Sequence, residues 1–426
     1  MEVNSICGKS KTSLENFVFK SFATYSAERD LVMNSPRNGN NGSRRKEIPI
    51  NEESDEFVYA AVEKFFGQLE NKASNSNATD REANSSKVNT RNAAEELSKQ
   101  FNRKVTRERI YPLLWEGLRR KFVTMNPPIS ENLQNQLAEK FGLKDSDKEI
   151  RVVNVVGKDA STHVVHSTAD YVVQLIERVQ QEKNEKAADE GKDPADVRVH
   201  VGIGAGYVAE ILAERLATRA LTDNPKLTLH ALTPGGFYVE RQENSPTAYF
   251  LRFADKQLDV KCRGMFSPPA VSDQNYDKMR QNPALKGNFV ERENIDILVT
   301  SLATAEDEHG LVRRYFDYLK ENGYFEKDVN EELTQKGWCG DVLFQPYSAT
   351  EPISGSLRTI ALFTLDELLE FSRKPGKHVV LVGAPCHDCD KLKTKALLPL
   401  LKEPRLRMWT QLFIDRRTAV DLLNRE

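Results

Sequence analysis

VRVHVGIGAGYVAEILAERLA, Val197–Ala217, is the stretch on which the fold turns. It opens as an alternating apolar strand, passes through the glycines Gly202, Gly204 and Gly206, and continues from Tyr207 with the spacing of an amphipathic helix. A glycine turn that opens a helix points backbone N–H groups outward, and the helix dipole adds positive potential there, so the turn suits an anion. Three uses are open: a dinucleotide, a phosphate-bearing small molecule, or a tight turn with no ligand. The dinucleotide fingerprint G-x-G-x-x-G wants its last glycine where Tyr207 stands, and an acidic residue at the end of the next strand. That strand, LTLHALT, runs instead into Thr233-Pro234-Gly235-Gly236. A phosphate is therefore favoured over a nicotinamide cofactor, and no cofactor is expected.

Around this unit, apolar strands alternate with helical patterns. IRVVNVV (Ile150–Val156), LTLHALT, IDILVTSLA, GDVLFQP and HVVLVG read as strands, and TADYVVQLIERVQQE, LVRRYFDYLKENGY and KTKALLPLLKE as helices. Continuous Val/Ile/Leu strands separated by helices predict an α/β fold with a doubly wound, mostly parallel sheet covered on both faces. The chain has 426 residues, so more than one domain is expected. With 39% hydrophobic and 29% charged residues it belongs to neither the disordered nor the membrane class. A net charge of -2 confines any nucleic-acid surface to a local patch. No apolar run spans a bilayer, the N-terminus lacks a signal-peptide core, and five scattered cysteines make no disulfide framework. A reducing cytoplasm is the expected compartment, with no membrane partner.

Residues 1–50 read as a disordered tail. Residues 51–126 form a helical unit interrupted by a polar insert at 73–90, and 129–426 form the α/β domain. In the helical unit, Asp55–Lys72 places Phe57, Val58, Ala61, Val62, Phe65 and Phe66 on one face. A second helix is expected at Asn92–Phe101, capped by Asn92 with Glu95 three residues on, and a third after a tight turn and the cap Thr106. The third carries Arg107, Arg109, Arg119, Arg120 and Lys121. Two short helices around a tight turn, with arginines on the second, are the helix-turn-helix pattern for reading a major groove. A plain three-helix bundle with solvated charges fits the pattern as well. Pro112 falls inside the expected reading helix, which should kink or start later than Thr106.

The order of GIGAGYV, LTLHALTPGG, IDILVTSLATAEDEHG, GDVLFQPYSATEPI, RTIALFTLDELLEF and VVLVGAPCHDCDKLKTKALLPLL, behind NAAEELSKQFNRKVTRERIYPLLWEGLRRKFV, resembles the SorC-type sugar-binding transcriptional regulators. The resemblance covers roughly Asp55 to the C-terminus. It implies an N-terminal helix-turn-helix (winged-helix-like) unit and an effector domain of the ribose-5-phosphate isomerase, glucosamine-6-phosphate deaminase and CoA transferase type. It further implies operator DNA and a phosphorylated sugar as partners, and a homodimer or homotetramer. The sugar phosphate would meet Gly202, Gly204, Ala205, Gly206 and Tyr207, with Gly235 and Gly236 lining the sugar. Asp341 would accept its hydroxyls, with Arg358 and Lys393 as cations. Thr106, Arg107, Arg109, Arg119 and Arg120 would meet DNA.

Cys386-His387-Asp388-Cys389 raises zinc, but a closed site needs a second ligand pair that the nearby sequence lacks, so no metal is expected. The same fold runs isomerase and deaminase chemistry, for which Glu306, Asp307, Glu308 and His309 offer a general base. The helical head makes a sensor the favoured reading and no catalytic residue is assigned.

Overall fold

Strands that are apolar on both faces must be roofed on both sides by helices, and the computed structural model has this arrangement. It describes residues 48–73, 90–120, 123, 127–144, 146–157, 159–218, 226–234, 245–254 and 259–425. Most of the expected N-terminal tail and of the polar insert, and both Gly235 and Gly236, lie outside the described residues. The chain divides into two compact units, Met1–Met125 and Asn126–Glu426.

In the first unit, α1 (Asp55–Ala73), α2 (Thr90–Gln100) and α3 (Arg107–Arg119) pack their apolar faces together. Phe57, Val58, Ala61, Val62 and Phe65 of α1 meet Ala94 and Leu97 of α2 and Ile110 and Leu113 of α3. α1 and α3 approach so closely at Gly117 that a Cβ there would sit 2.4 Å from Val62 Cγ2. The turn between α2 and α3 reverses at Asn102 (φ 45°), and Ser98 Oγ accepts the Val105 amide at 2.9 Å. Two details differ from the sequence pattern. α2 is already helical at Thr90, so Asn92 lies within it and does not cap it. α3 starts directly after Thr106, whose side chain makes no capping bond, and Pro112 is accommodated within the helix.

The second unit begins with α4 (Glu131–Lys140), β1 (Glu149–Val153) and the long α5 (Ala160–Asp189). Next come β2 (Val199–Ile203), α6 (Tyr207–Thr218), β3 (Leu227–Ala231), α7 (Pro246–Ala254), β4 (Val260–Arg263) and β5 (Ala270–Ser272). Then α8 (Asp273–Arg280) and α9 (Pro283–Glu291) lead to β6 (Ile297–Thr304), α10 (Leu311–Glu321) and α11 (Val329–Gln335). The chain closes through β7 (Gly340–Val342), β8 (Gln345–Tyr347), β9 (Leu357–Thr359), α12 (Leu365–Phe371), β10 (His378–Val382), α13 (Thr394–Lys402), β11 (Gln411–Asp415) and α14 (Arg416–Asn424).

The main sheet runs β1-β11-β10-β6-β2-β3-β4, and every neighbouring pair along it is parallel. β7 and β8 add an antiparallel flap to the end of β6, and β5 and β9 make a separate two-stranded ribbon. GDVLFQP, which reads as one strand, is a hairpin in the structure. Leu343 and Phe344 take φ of 51° and 62° at its tip, a primed turn whose strain is offset by burying both side chains.

Candidate functional site

The strand order reverses between β2 and β6: β3 and β4 lie to one side, β10 and β11 to the other. Where order reverses, loops leaving the carboxyl ends of the two strands diverge and open a crevice. A cavity of about 380 Å³ lies there, walled by the turn after β2, the end of β6 and the loop after it, the β7–β8 flap and the loop after β10.

Two helix N-termini reach this cavity. Tyr207 opens α6, and Gly310 and Leu311 open α10; all three line the wall, as does Arg314 one turn further along α10. The amides of Ala205, Tyr207, Val208 and Ala209 have no backbone acceptor among the described residues, so this end of α6 retains donors for an anion. Tyr207 stacks on His387 across the opening, ring centroids 4.0 Å apart.

The glycine turn is not the row of bare amides that its sequence implies. The Gly204 amide donates to Val299 O at 2.9 Å, and the Gly206 amide donates to the Tyr249 hydroxyl at 3.1 Å. Gly202 and Gly204 do not line the cavity. A Cβ on Gly202 would lie 2.6 Å from Leu232 Cδ2, and one on Gly204 would lie 2.5 Å from Thr300 Oγ1, so both permit close strand packing. Gly206, at φ 97°, does line the cavity and bends the chain into α6.

Asp341 and Lys393 also line the cavity and are buried, each at most 6% exposed. Burial pushes the Asp341 carboxyl up to about 7, against the pull of Lys393. No described residue donates a hydrogen bond to that carboxylate. The same burial lowers Lys393, opposed by the negative potential of Asp307 and Asp341. Lys393 Nζ donates to Leu302 O at 2.6 Å. Asp307 lies beside them and accepts the His309 amide at 3.0 Å. Gly340 is required next to Asp341, because a Cβ there would come within 2.6 Å of Ala303 O.

Arg358 is not part of this arrangement. It stacks 3.5 Å over Tyr276, pairs with Asp273 at 3.4 Å and lines a separate cavity of about 250 Å³. Its position in the middle of β9 puts it on the small ribbon, away from the main sheet. The cation that does reach the first cavity on α10, Arg314, belongs to no sequence motif, and only its place one turn after Gly310 marks it. Of the candidate bases, Asp307 and His309 line the cavity, whereas Glu306 pairs with Lys395 and Glu308 is exposed. The structure also gives the Cys386-x-x-Cys389 pair a third donor from a distant loop. Asp307, Cys386 and Cys389 hold their ligand atoms within 4.8 Å of one another. Burial pushes the Cys386 thiol up to about 12.

In the first unit the expected DNA-contacting arginines divide. Glu53, itself buried, pairs with Arg103 and Arg109, and the Arg109 side chain is only 9% exposed. Arg120 is 13% exposed and held by Glu116 and Asp55. Arg109 and Arg120 therefore brace the helices and are not presented to a groove. Hydrogen bonds from Arg119 hold the Glu116 carboxyl down at about 2, against its burial. Arg107 and Arg119 themselves project into solvent, and Thr106 is half-buried.

No protein-family model matches the chain, and no curated protein matches it. Solved structures do. The fold is that of a doubly wound α/β domain behind a helical unit. Its likeness to the full-length sorbitol operon regulator SorC from Klebsiella pneumoniae has a TM-score of 0.56 at 14% identity, covering 88% of this chain and 100% of that one. A DeoR family transcriptional regulator from Listeria monocytogenes aligns at 18% identity with a TM-score of 0.48, over 68% of this chain and 98% of that one. A transcriptional regulator from Streptococcus pneumoniae aligns at 15% identity and 0.45, over 68% and 95%. No helix among the described residues is long and apolar enough to cross a membrane.

Proposed function

We propose that the cavity at the β2–β6 switch point binds a phosphorylated sugar and that the chain is a sugar-responsive, DNA-binding transcriptional regulator that does not turn its ligand over. The observation that carries this reading is that one cavity is lined both by groups that suit a phosphate and by a buried carboxylate that suits hydroxyls. The phosphate groups are the free amides of α6, the N-terminus of α10 and Arg314. The carboxylate is that of Asp341, which has no donor among the described residues and suits sugar hydroxyls. Likeness in fold to a sorbitol operon regulator supports the same reading. The phosphate contacts fall to Ala205, Gly206, Tyr207 and Arg314, with Lys393 setting the potential behind them. Gly202 and Gly204 support the turn from within the sheet. DNA contact falls to the exposed Arg107 and Arg119, and two copies of the chain would serve two half-sites in the cytoplasm.

Ligand-dependent thermal shift with a panel of sugar phosphates, the matching free sugars and inorganic phosphate tests the assignment. Sugar phosphates should raise Tm, the free sugars should do so less, and Arg314→Ala should remove most of the difference. Equal shifts with all three classes would overturn it.

A second reading has one observation in its favour. A carboxyl at about 7 beside a buried lysine is poised for proton transfer near neutral pH, as an aldose–ketose isomerase or aminosugar deaminase requires. Turnover of ribose 5-phosphate or glucosamine 6-phosphate would put that reading first.

A further inference from the structure

Cys386 and Cys389 stand in the loop after β10, and Asp307 stands in the loop after β6. Cys386 Sγ lies 3.6 Å from Asp307 Oδ1, and all three ligand atoms lie within 4.8 Å of one another. With metal–ligand bonds of about 2.0–2.3 Å, tetrahedral donors sit roughly 3.3–3.8 Å apart, so only a small side-chain adjustment is needed. Cys386 and Asp307 are buried and fixed, whereas Cys389 is exposed and free to make that adjustment.

The loop is built around the first sulfur. The Cys386 amide donates to Lys391 O and the Asp390 amide to Cys386 O, both at 2.9 Å. Asp390, at φ 58°, is gripped by the Arg417 guanidinium, with Nη1 at 2.6 Å. The thiolate is the form that binds metal, so metal uptake displaces the Cys386 proton. Two thiolates and one carboxylate carry three negative charges, a dication cancels two, and the buried Lys393 ammonium behind them cancels the third.

We propose that Asp307, Cys386 and Cys389 bind one Zn²⁺, releasing two thiol protons and leaving a fourth position for water on the cavity side. Two sulfurs with one carboxylate suit zinc and disfavour magnesium or calcium, which take oxygen sets. The site is independent of the sugar-phosphate reading, because its ligands are complete without an effector.

The test is titration of the reduced full-length protein with Co²⁺, then competition with Zn²⁺, in the absence of any sugar. Expected are one Co²⁺ per chain with sulfur-to-cobalt charge-transfer absorption and a tetrahedral ligand-field spectrum, both abolished by stoichiometric Zn²⁺. Cys389→Ser, at an exposed position that folding does not need, should weaken binding at least about 100-fold, the upper end of what losing an outer-shell partner does. Asp307→Asn should weaken it too, and Cys339→Ser should leave it unchanged. Absence of charge-transfer absorption, equal affinity in Cys389→Ser, or a Cys386–Cys389 disulfide that forms in preference to the metal complex would each overturn the site.

Discussion

Glu53 in the first unit and Asp341 in the second are carboxylates of nearly equal burial, 5% and 4% exposed, with opposite surroundings. Burial alone would raise both. At Glu53 the hydrogen bonds from Arg103 and Arg109 overcome it and hold the carboxyl below its usual range. At Asp341 no described residue donates, Lys393 compensates only in part, and the carboxyl rises to about 7. A buried charge that is fully partnered holds a fold together. One left without a donor on a cavity wall reduces stability.

The contrast breaks most visibly at Glu53. Glu53→Ala leaves the Arg109 guanidinium buried without its counter-charge, and the first unit should lose about 3 kcal/mol, read by urea unfolding. The ion pair is fully present above the ordinary glutamate pKa and is lost as pH falls below it, so the difference between wild type and variant should shrink in acid.

Asp341→Asn should act in the other direction. Its folded pKa lies above its unfolded value, so the ionised form is what folding penalises. The variant should therefore be more stable than wild type, on the order of 2 kcal/mol above pH 7. The gain should decline as pH falls through 7 and vanish near the ordinary aspartate range, where both states are protonated. A loss of stability at pH 8 would mean that Lys393 needs this partner more than the burial of Asp341 implies.

Smallest is Arg119→Ala. Its side chain is 66% exposed, so its pairing with Glu116 contributes little, and the urea unfolding midpoint should be unchanged. Its effect should appear on DNA, as a salt dependence of binding shallower by about 1. An unchanged slope would remove Arg119 from the interface.

What could be read from the sequence follows from which forces act locally. β1, β3, β6 and β10 were visible because strands buried on both faces must be largely apolar, and β2 from its alternation. The α1 face was visible from its spacing, and every residue named on it packs in the first core. The likeness in fold to a SorC regulator, expected from motif order, was likewise found. Pairings across the chain were not visible. Nothing near Arg109 announces Glu53, fifty-six residues away, and nothing near Arg358 announces Tyr276, so two cations expected at ligands are structural. The glycine pattern marked the bend correctly but not the direction of its amides, because Val299 and Tyr249 lie in other elements. Asp307 stood out only as one acid in a loop of three, and the fold alone places it against Cys386 and Cys389.

The Tyr249 hydroxyl donates to the Gly206 carbonyl at 3.0 Å and accepts the amide of the same residue, holding the two peptide units that flank its Cα. The bend at the mouth of the cavity is thus already ordered before any guest arrives. Little conformational freedom remains there to be surrendered on association, so selectivity at this rim should come from shape match and not from a loop that remodels itself around whatever enters.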